Sequence, residues 1–168
     1  LIFSYLYYIA GGPRYVVFIL FSTLVTWLMA LLIEKAEGKE NHKGARKLLI
    51  LGLILNFGML GIVKYTNFAV ENINALLHLN LRGIQLLLPL GISFYTFQSS
   101  GYLLDVYWKR CKAERHPLKY ALFVSFFPQI LQGPIGRYSR LADQLYAEHR
   151  FEGNNIIRGF ERILWGFF

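Results

Sequence analysis

The sequence predicts an all-α, polytopic transmembrane helical protein with a broken, re-entrant apolar segment, and three observations lead there. Of its 168 residues 55% are hydrophobic, 17% aromatic and only 17% charged, with a mean hydropathy of +0.37. That is too apolar for an ordinary soluble domain of this length. The apolar residues also gather into runs of spanning length, separated by short connectors rich in Lys and Arg. Finally, Phe126 to Arg137 (Phe-Phe-Pro-Gln-Ile-Leu-Gln-Gly-Pro-Ile-Gly-Arg) is apolar enough for membrane depth but cannot be one helix. Pro128 and Pro134 each remove a backbone donor and clash with the preceding turn, and Gly133 and Gly136 loosen the chain beside them. Unpaired amides in hydrocarbon cost several kcal/mol each, so such a segment must be packed inside protein or line a wet cavity. It is the first candidate for the wall of a site.

The whole chain reads as one partial membrane domain. Residues 1–10 are too short to cross a bilayer and read as the tail of a helix, ended by Gly11-Gly12-Pro13. Residues 15–33 carry no charge and form the strongest spanning signal. Glu34 to Lys47 is a polar connector, and residues 48–66 form the next span, with Lys64 and Tyr65 able to snorkel from its end. Asn67 to Gln85 reads as a short interfacial helix and loop. Residues 86–108 are a span whose Pro89 and Gly91 predict a kink or a late start. Residues 120–135 are a span broken at Pro128. Leu141 to His149 is polar and predicted at the surface, and Asn154-Asn155 are placed to cap an amphipathic helix over 155–168, in which Ile156, Phe160, Ile163 and Phe167 recur at helical spacing.

Lys and Arg number five in Glu34 to Lys47 and five in Lys109 to Lys119, against Arg82 alone between Asn67 and Gln85 and Arg14 at the first turn. Two crossings separate the rich connectors, so both fall on one side, and the positive-inside rule makes that side cytoplasmic. A multi-pass protein of the cytoplasmic membrane is expected. The net charge of +8 sits beside apolar spans rather than on a nucleic-acid-binding face, so no nucleic-acid partner is expected. The single cysteine, Cys111, permits no internal disulfide, and no His and Cys cluster has metal-ligand spacing.

Asp105 is the one acid inside an apparent span, which marks it as a functional candidate. Lys109 four residues on offers the simpler reading of an ion pair on one helix face. Arg137 and Arg140 suit the phosphates of a donor and suit lipid headgroups equally. His42, His78, His116 and His149 lie outside the apolar spans with no nucleophile recognisably beside them.

Three blocks in this order, Leu88-Pro89-Leu90-Gly91-Ile92-Ser93-Phe94-Tyr95-Thr96-Phe97-Gln98, Gly101-Tyr102-Leu103-Leu104-Asp105-Val106-Tyr107, and Phe126-Phe127-Pro128 with Gly133-Pro134-Ile135 and Arg137, resemble the membrane-bound O-acyltransferase (MBOAT) family. The likeness is greatest to its alginate O-acetyltransferase branch. What the resemblance implies is transfer of an acyl group, acetyl above all, from a cytoplasmic thioester donor to a hydroxyl of an extracytoplasmic polysaccharide through a tunnel. The donor would be acetyl-CoA or a carrier-protein thioester, with no bound cofactor. The bilayer, the polysaccharide and an extracytoplasmic acyl-handling protein are the implied partners. The residues it implies for the tunnel are Gln98, Tyr102, Asp105, Pro128, Gln129, Gly133, Pro134 and Arg137. The family's essential histidine matches none of the four present. It is expected beyond Phe168, and with the chain starting and stopping inside apolar runs, an inactive part of a longer protein is expected. A D-alanyl transferase of teichoic acids is the nearer alternative, and a transporter or a non-catalytic scaffold the more distant one. A transporter would show an inverted repeat, and none is visible. In the intact protein Gly133→Leu is expected to abolish transfer without blocking membrane insertion, as read by acylation of the polymer alongside membrane fractionation.

Overall fold

The computed structural model describes residues 1–77, 89, 91–130, 136–147 and 152–168. Among these the chain forms eight helices and no strand: α1 (Ile2–Gly11), α2 (Pro13–Gly38), α3 (His42–Leu77), α4 (Ile92–Tyr107), α5 (Pro117–Ser125), α6 (Phe127–Ile130), α7 (Tyr138–Tyr146) and α8 (Gly153–Phe167). α2 is the central element, packed against α1, α3, α4 and α5.

α2 and α3 are long and apolar enough to cross a membrane. In α3 the buried positions Ala45, Leu49, Gly52, Asn56, Leu60 and Val63 step by three or four residues, one stripe of a helix. The opposite faces of the pair leave Leu20, Phe21, Leu24, Leu28, Ile50, Ile54 and Ile62 exposed, an apolar belt that only a lipid or protein neighbour satisfies. Polar atoms are paired where the helices meet: the Ser22 hydroxyl donates to Asn56 Oδ1 at 2.6 Å, and Asn56 Nδ2 donates to Thr26 Oγ1 and to the Gly52 carbonyl, both at 3.0 Å. At Gly52 an added Cβ would stand 2.9 Å from Leu103 Cδ1 of α4 and 3.4 Å from Met29 Cβ of α2. Three helices approach closely there because the side chain is absent.

The structure corrects several boundaries. The connector read over Glu34 to Lys47 shrinks to residues 39–41, because α2 runs on to Gly38 and α3 begins at His42, where Asn41 Oδ1 accepts the Gly44 amide at 3.0 Å. The cations are carried on helix ends. The separate interfacial helix expected after Asn67 is instead a continuation of α3 to Leu77, about 54 Å from end to end. No Pro or Gly lies between Ile62 and Leu77, and polar side chains there return hydrogen bonds to their own helix, Thr66 to the Ile62 carbonyl and Asn72 to the Phe68 carbonyl. The rest of that stretch lies outside the described residues.

The late start expected of the third span is observed: Gly91 takes φ 70°, a left-handed conformation suited to glycine, and α4 begins at Ile92. The expected break is also present. Past Ser125, Phe126 is extended (φ −62°, ψ 99°), and Pro128 sits in the first turn of the short α6. The polar stretch from Leu141 belongs to α7, whose Ala142 is buried one turn from Tyr138 while Asp143, Gln144 and Ala147 are exposed at the surface, as expected. Asn154 and Asn155 do not cap α8 but stand inside it, with Glu152 before the first turn and accepting from Asn155 Nδ2 at 3.2 Å.

The two cation-rich connectors lie at one end of the bundle, as the charge count requires. Glu34, near the end of α2, accepts the Ala113 amide at 3.1 Å and pairs with Arg115 at 2.5 Å, and Glu37 takes Lys109 at 3.1 Å and His42 at 2.9 Å. The cations are more than half exposed, so each pair contributes little alone. Together they seat residues 109–116 on the α2–α3 turn.

Two substitutions test this packing. Gly52→Val should cost about 1–3 kcal/mol by wedging α3 from α4. Asn56→Leu should cost about 1–2 kcal/mol by stranding Ser22 and Thr26. Denaturant unfolding of the intact protein in detergent reads both.

Candidate functional site

α4 is only 16 residues long, about 24 Å, yet Ile92, Tyr95, Thr96, Gln98, Ser99, Ser100, Tyr102, Leu103, Asp105 and Val106 are all buried. A short helix wrapped on most sides and carrying seven polar residues among those ten is unusual for an apolar interior. One side of it opens on a groove of about 230 Å³. Gln98, Tyr102 and Asp105 reach this groove from successive turns of α4, and Trp108 and Arg110 just past the end of α4, with Gly136 and Arg137 ahead of α7, also line it.

Gln98 serves the broken segment. Past the end of α5 the Phe123 carbonyl has lost its helical donor, and Gln98 Nε2 supplies one at 3.3 Å from across the interface. Asp105 is 6% exposed. Its partner is Arg110 at 3.6 Å, not Lys109 as the i,i+4 spacing predicts. The reason is local: Lys109 adopts φ 59° after the helix ends, which swings its own side chain to Glu37 and turns Arg110 back over Asp105. Arg110 also covers the Trp108 ring, 4.7 Å from its centroid.

Arg137 is placed by its neighbour. Tyr138 is buried, packs 4.7 Å from the Tyr102 ring and 5.0 Å from Phe123, and donates its hydroxyl to Glu114 Oε2 at 2.7 Å. Glu114 joins four elements. Its amide donates to the Tyr102 hydroxyl at 2.8 Å, its carbonyl accepts Trp27 Nε1 at 2.9 Å, and Oε1 accepts the His116 amide at 2.9 Å. Burial alone would raise its pKa, but the bonds from the His116 amide and the Tyr138 hydroxyl outweigh it and hold the carboxyl below its usual value. Burial and the Glu114 carboxylate push the Tyr138 hydroxyl up, so it stays a donor. Cys111, half-buried near Asp105 and Glu34, has its thiol pushed up to about 11, first by burial and then by those two acids.

Of the residues expected from the sequence, Gln98, Tyr102, Asp105 and Arg137 share the groove. Gln129 stands behind its wall, with Oε1 3.1 Å from where a Cβ on Gly136 would lie. Pro128 is exposed in the first turn of α6 and is not among the described residues that line the groove. Gly133 and Pro134 lie outside the described residues, as do His78 and His149. His42 bonds Glu37 and His116 precedes α5, so neither reaches the groove. Among the described residues no group of His, Cys, Asp and Glu could hold a metal ion. Glu114, Arg110, Trp108 and Tyr138 were not singled out by the sequence reading. The one visible sign was Glu114 itself, a lone acid among the five cations of its connector.

Curated relatives align over nearly the whole chain. The probable alginate O-acetylase AlgI of Pseudomonas syringae pv. tomato is 34% identical over 99% of this chain and 32% of its own length. That of Pseudomonas aeruginosa is 33% identical over 99% and 32%. The peptidoglycan O-acetyltransferase of Helicobacter pylori is 31% identical over 98% and 34%. The chain belongs to the MBOAT family. It spans about a third of the length of the curated relatives it matches. No family model and no solved structure matches it. The relatives and the two long apolar helices together make this MBOAT chain a membrane protein.

A depressed carboxyl contributes stability above its unfolded-state pKa, about 4.3, and loses it as pH falls through the lower folded-state value. The stability gap between the wild type and Glu114→Gln should therefore be present at neutral pH and close on acidification below about pH 4, as read by thermal unfolding across pH. The raised Cys111 thiol should alkylate more slowly at neutral pH than a free cysteine, whose pKa is about 8.5, as measured by iodoacetamide incorporation.

Proposed function

We propose that this chain forms the groove-bearing part of a membrane O-acetyltransferase that moves an acetyl group from a cytoplasmic thioester to a hydroxyl of an extracytoplasmic polysaccharide. The observation that carries the reading is the convergence of Gln98, Tyr102, Asp105 and Arg137 on one groove whose lining extends to Arg110 of the cation-rich connector. The names of the relatives, alginate O-acetylase and peptidoglycan O-acetyltransferase, support acetate as the group moved and a polysaccharide as its acceptor.

In this reading the cation-rich end faces the cytoplasm, where thioesters are made. Arg110 and Arg137, which both line the groove, take the phosphates of an acetyl-CoA donor, and Asp105 holds the Arg110 guanidinium in place. The thioester arm then lies along α4, past Tyr102 toward Gln98. The acceptor oxygen attacks the thioester carbonyl, the carbon–sulfur bond breaks, and the proton from the hydroxyl leaves with the thiol. The base that takes this proton is the histidine expected beyond Phe168. The groove's contribution is position and exclusion of water, which spares the thioester from hydrolysis.

Deleting the gene should remove ester-linked acetate from the cell's polysaccharide hydrolysate. Loss of D-alanine with acetate intact would instead assign the teichoic-acid reaction. In the intact enzyme Arg137→Ala should raise the donor KM about 10-fold or more with little change in kcat, and Arg137→Lys should recover part of it.

A further inference from the structure

The outward faces of the two long apolar helices carry one repeated pattern. On α2 the exposed residues Leu24, Leu28 and Leu32 lead at steps of three and four to the exposed Lys35 and, just past the helix end, Lys39, which places all five on one stripe. α3 runs back the other way and mirrors it. There the exposed Lys43 and Lys47 lead at the same spacing to Ile50 and Ile54. Each stripe is apolar along its length and cationic where the α2–α3 turn lies.

The two stripes border a common groove of about 540 Å³, across which Phe21 of α2 meets Ile54, Gly58 and Ile62 of α3. Every residue that lines it is apolar. At Gly58 a Cβ would meet no other atom within 4 Å, so the space beside that backbone is open. Ile54, the lining residue nearest the turn, stands seven residues from Lys47, about 10 Å along the helix. Half the hydrocarbon thickness of a bilayer is about 15 Å. An acyl chain whose headgroup lies level with Lys47 therefore reaches the groove.

The four lysines lack a local counter-charge. The carboxylates closest in sequence on α2 are committed elsewhere, Glu34 to Arg115 and the Ala113 amide, Glu37 to His42 and Lys109. Among the described residues Lys35, Lys39, Lys43 and Lys47 make no ion pair, and Glu40 is the one acid of the turn itself. Charge alone would suit any polyanion. The apolar groove below the lysines selects an amphiphile, which carries an anion and a hydrocarbon chain on one molecule.

We propose that this face binds an anionic phospholipid, with an acyl chain in the α2–α3 groove and the phosphate among Lys35, Lys39, Lys43 and Lys47. The site needs only that α2 and α3 cross the membrane, and it is independent of acetyl transfer.

The test uses the intact protein in lipid nanodiscs, with Cys111→Ser to remove the native thiol and Gly58→Cys carrying a small fluorophore. Phosphatidylglycerol or phosphatidylcholine with a nitroxide on its acyl chain is supplied at equal mole fraction, and quenching reports which lipid occupies the groove. The phosphatidylglycerol form should quench severalfold more strongly. Lys43→Gln with Lys47→Gln should bring the two lipids toward equality, and Lys43→Arg with Lys47→Arg should keep the preference. Equal quenching in the protein with all four lysines would mean ordinary bilayer contact, quenching by neither lipid would mean that protein covers the face, and a preference untouched by the glutamine pair would exclude the lysines. Each of these overturns the site. Because the fluorophore itself could crowd the groove, native mass spectrometry of the unlabelled wild type gives a second reading: phosphatidylglycerol should stay bound under conditions that strip phosphatidylcholine, and equal retention would contradict the proposal.

Discussion

The hydrogen bond from Gln98 to the Phe123 carbonyl is the contact on which the rest of the arrangement depends. A helix that stops in an apolar interior strands carbonyls that no water reaches, and in hydrocarbon that is prohibitive. Here the chain turns extended at Phe126, which takes the Phe127 amide away from the Phe123 carbonyl four residues back, and Pro128 has no amide hydrogen for Val124 with which the helix could resume. The remedy is a buried amide side chain from a different helix. Accepting that remedy forces α4 to lie against the break, and α4 is the helix whose polar face forms the groove. The interruption and the site are thus two aspects of one constraint.

Glu114 completes what Gln98 begins. It gathers Trp27 of α2, Tyr102 of α4 and Tyr138 of α7 onto one connector residue, and the rings of Tyr102, Tyr120, Phe123 and Tyr138 close around them. Aromatic packing of this kind is rigid and strongly apolar, so it fixes the α7 backbone next to an opening without filling it with flexible side chains. Arg137 gains its position from this arrangement while staying exposed. A cation held at a mouth by its buried neighbour is preorganised to meet an anion, and little entropy is lost when it does.

Much of this was legible in the residues, and the boundary between what was and was not is physical. The long uncharged run over 15–33, the late helix start at Gly91 and the break at Pro128 are local properties, written in hydropathy and in the backbone limits of glycine and proline. The continuation of α3 through Asn67 to Leu77 was not legible, because polar residues that bond back to their own helix look in sequence like the start of a loop. The partner of Asp105 was misread for a similar reason. Helical spacing favours Lys109, but one left-handed residue after the helix exchanges it for Arg110. Glu114 depends on contacts with residues 87 and 24 positions away, and no local pattern encodes those.

The central claim is that the polar face of α4 borders a passage entered from the cation-rich end and fitted to an activated acyl donor. Gly101 offers the most direct access to it, for it lines the groove and a Cβ there would meet no other atom within 4 Å. With Gly101→Cys in the intact protein, in sealed membrane vesicles of known orientation, a polar maleimide should label the cysteine only from the cytoplasmic face, and acetyl-CoA should slow that labelling. Labelling from the opposite face, or at a rate that acetyl-CoA leaves unchanged, would contradict the account.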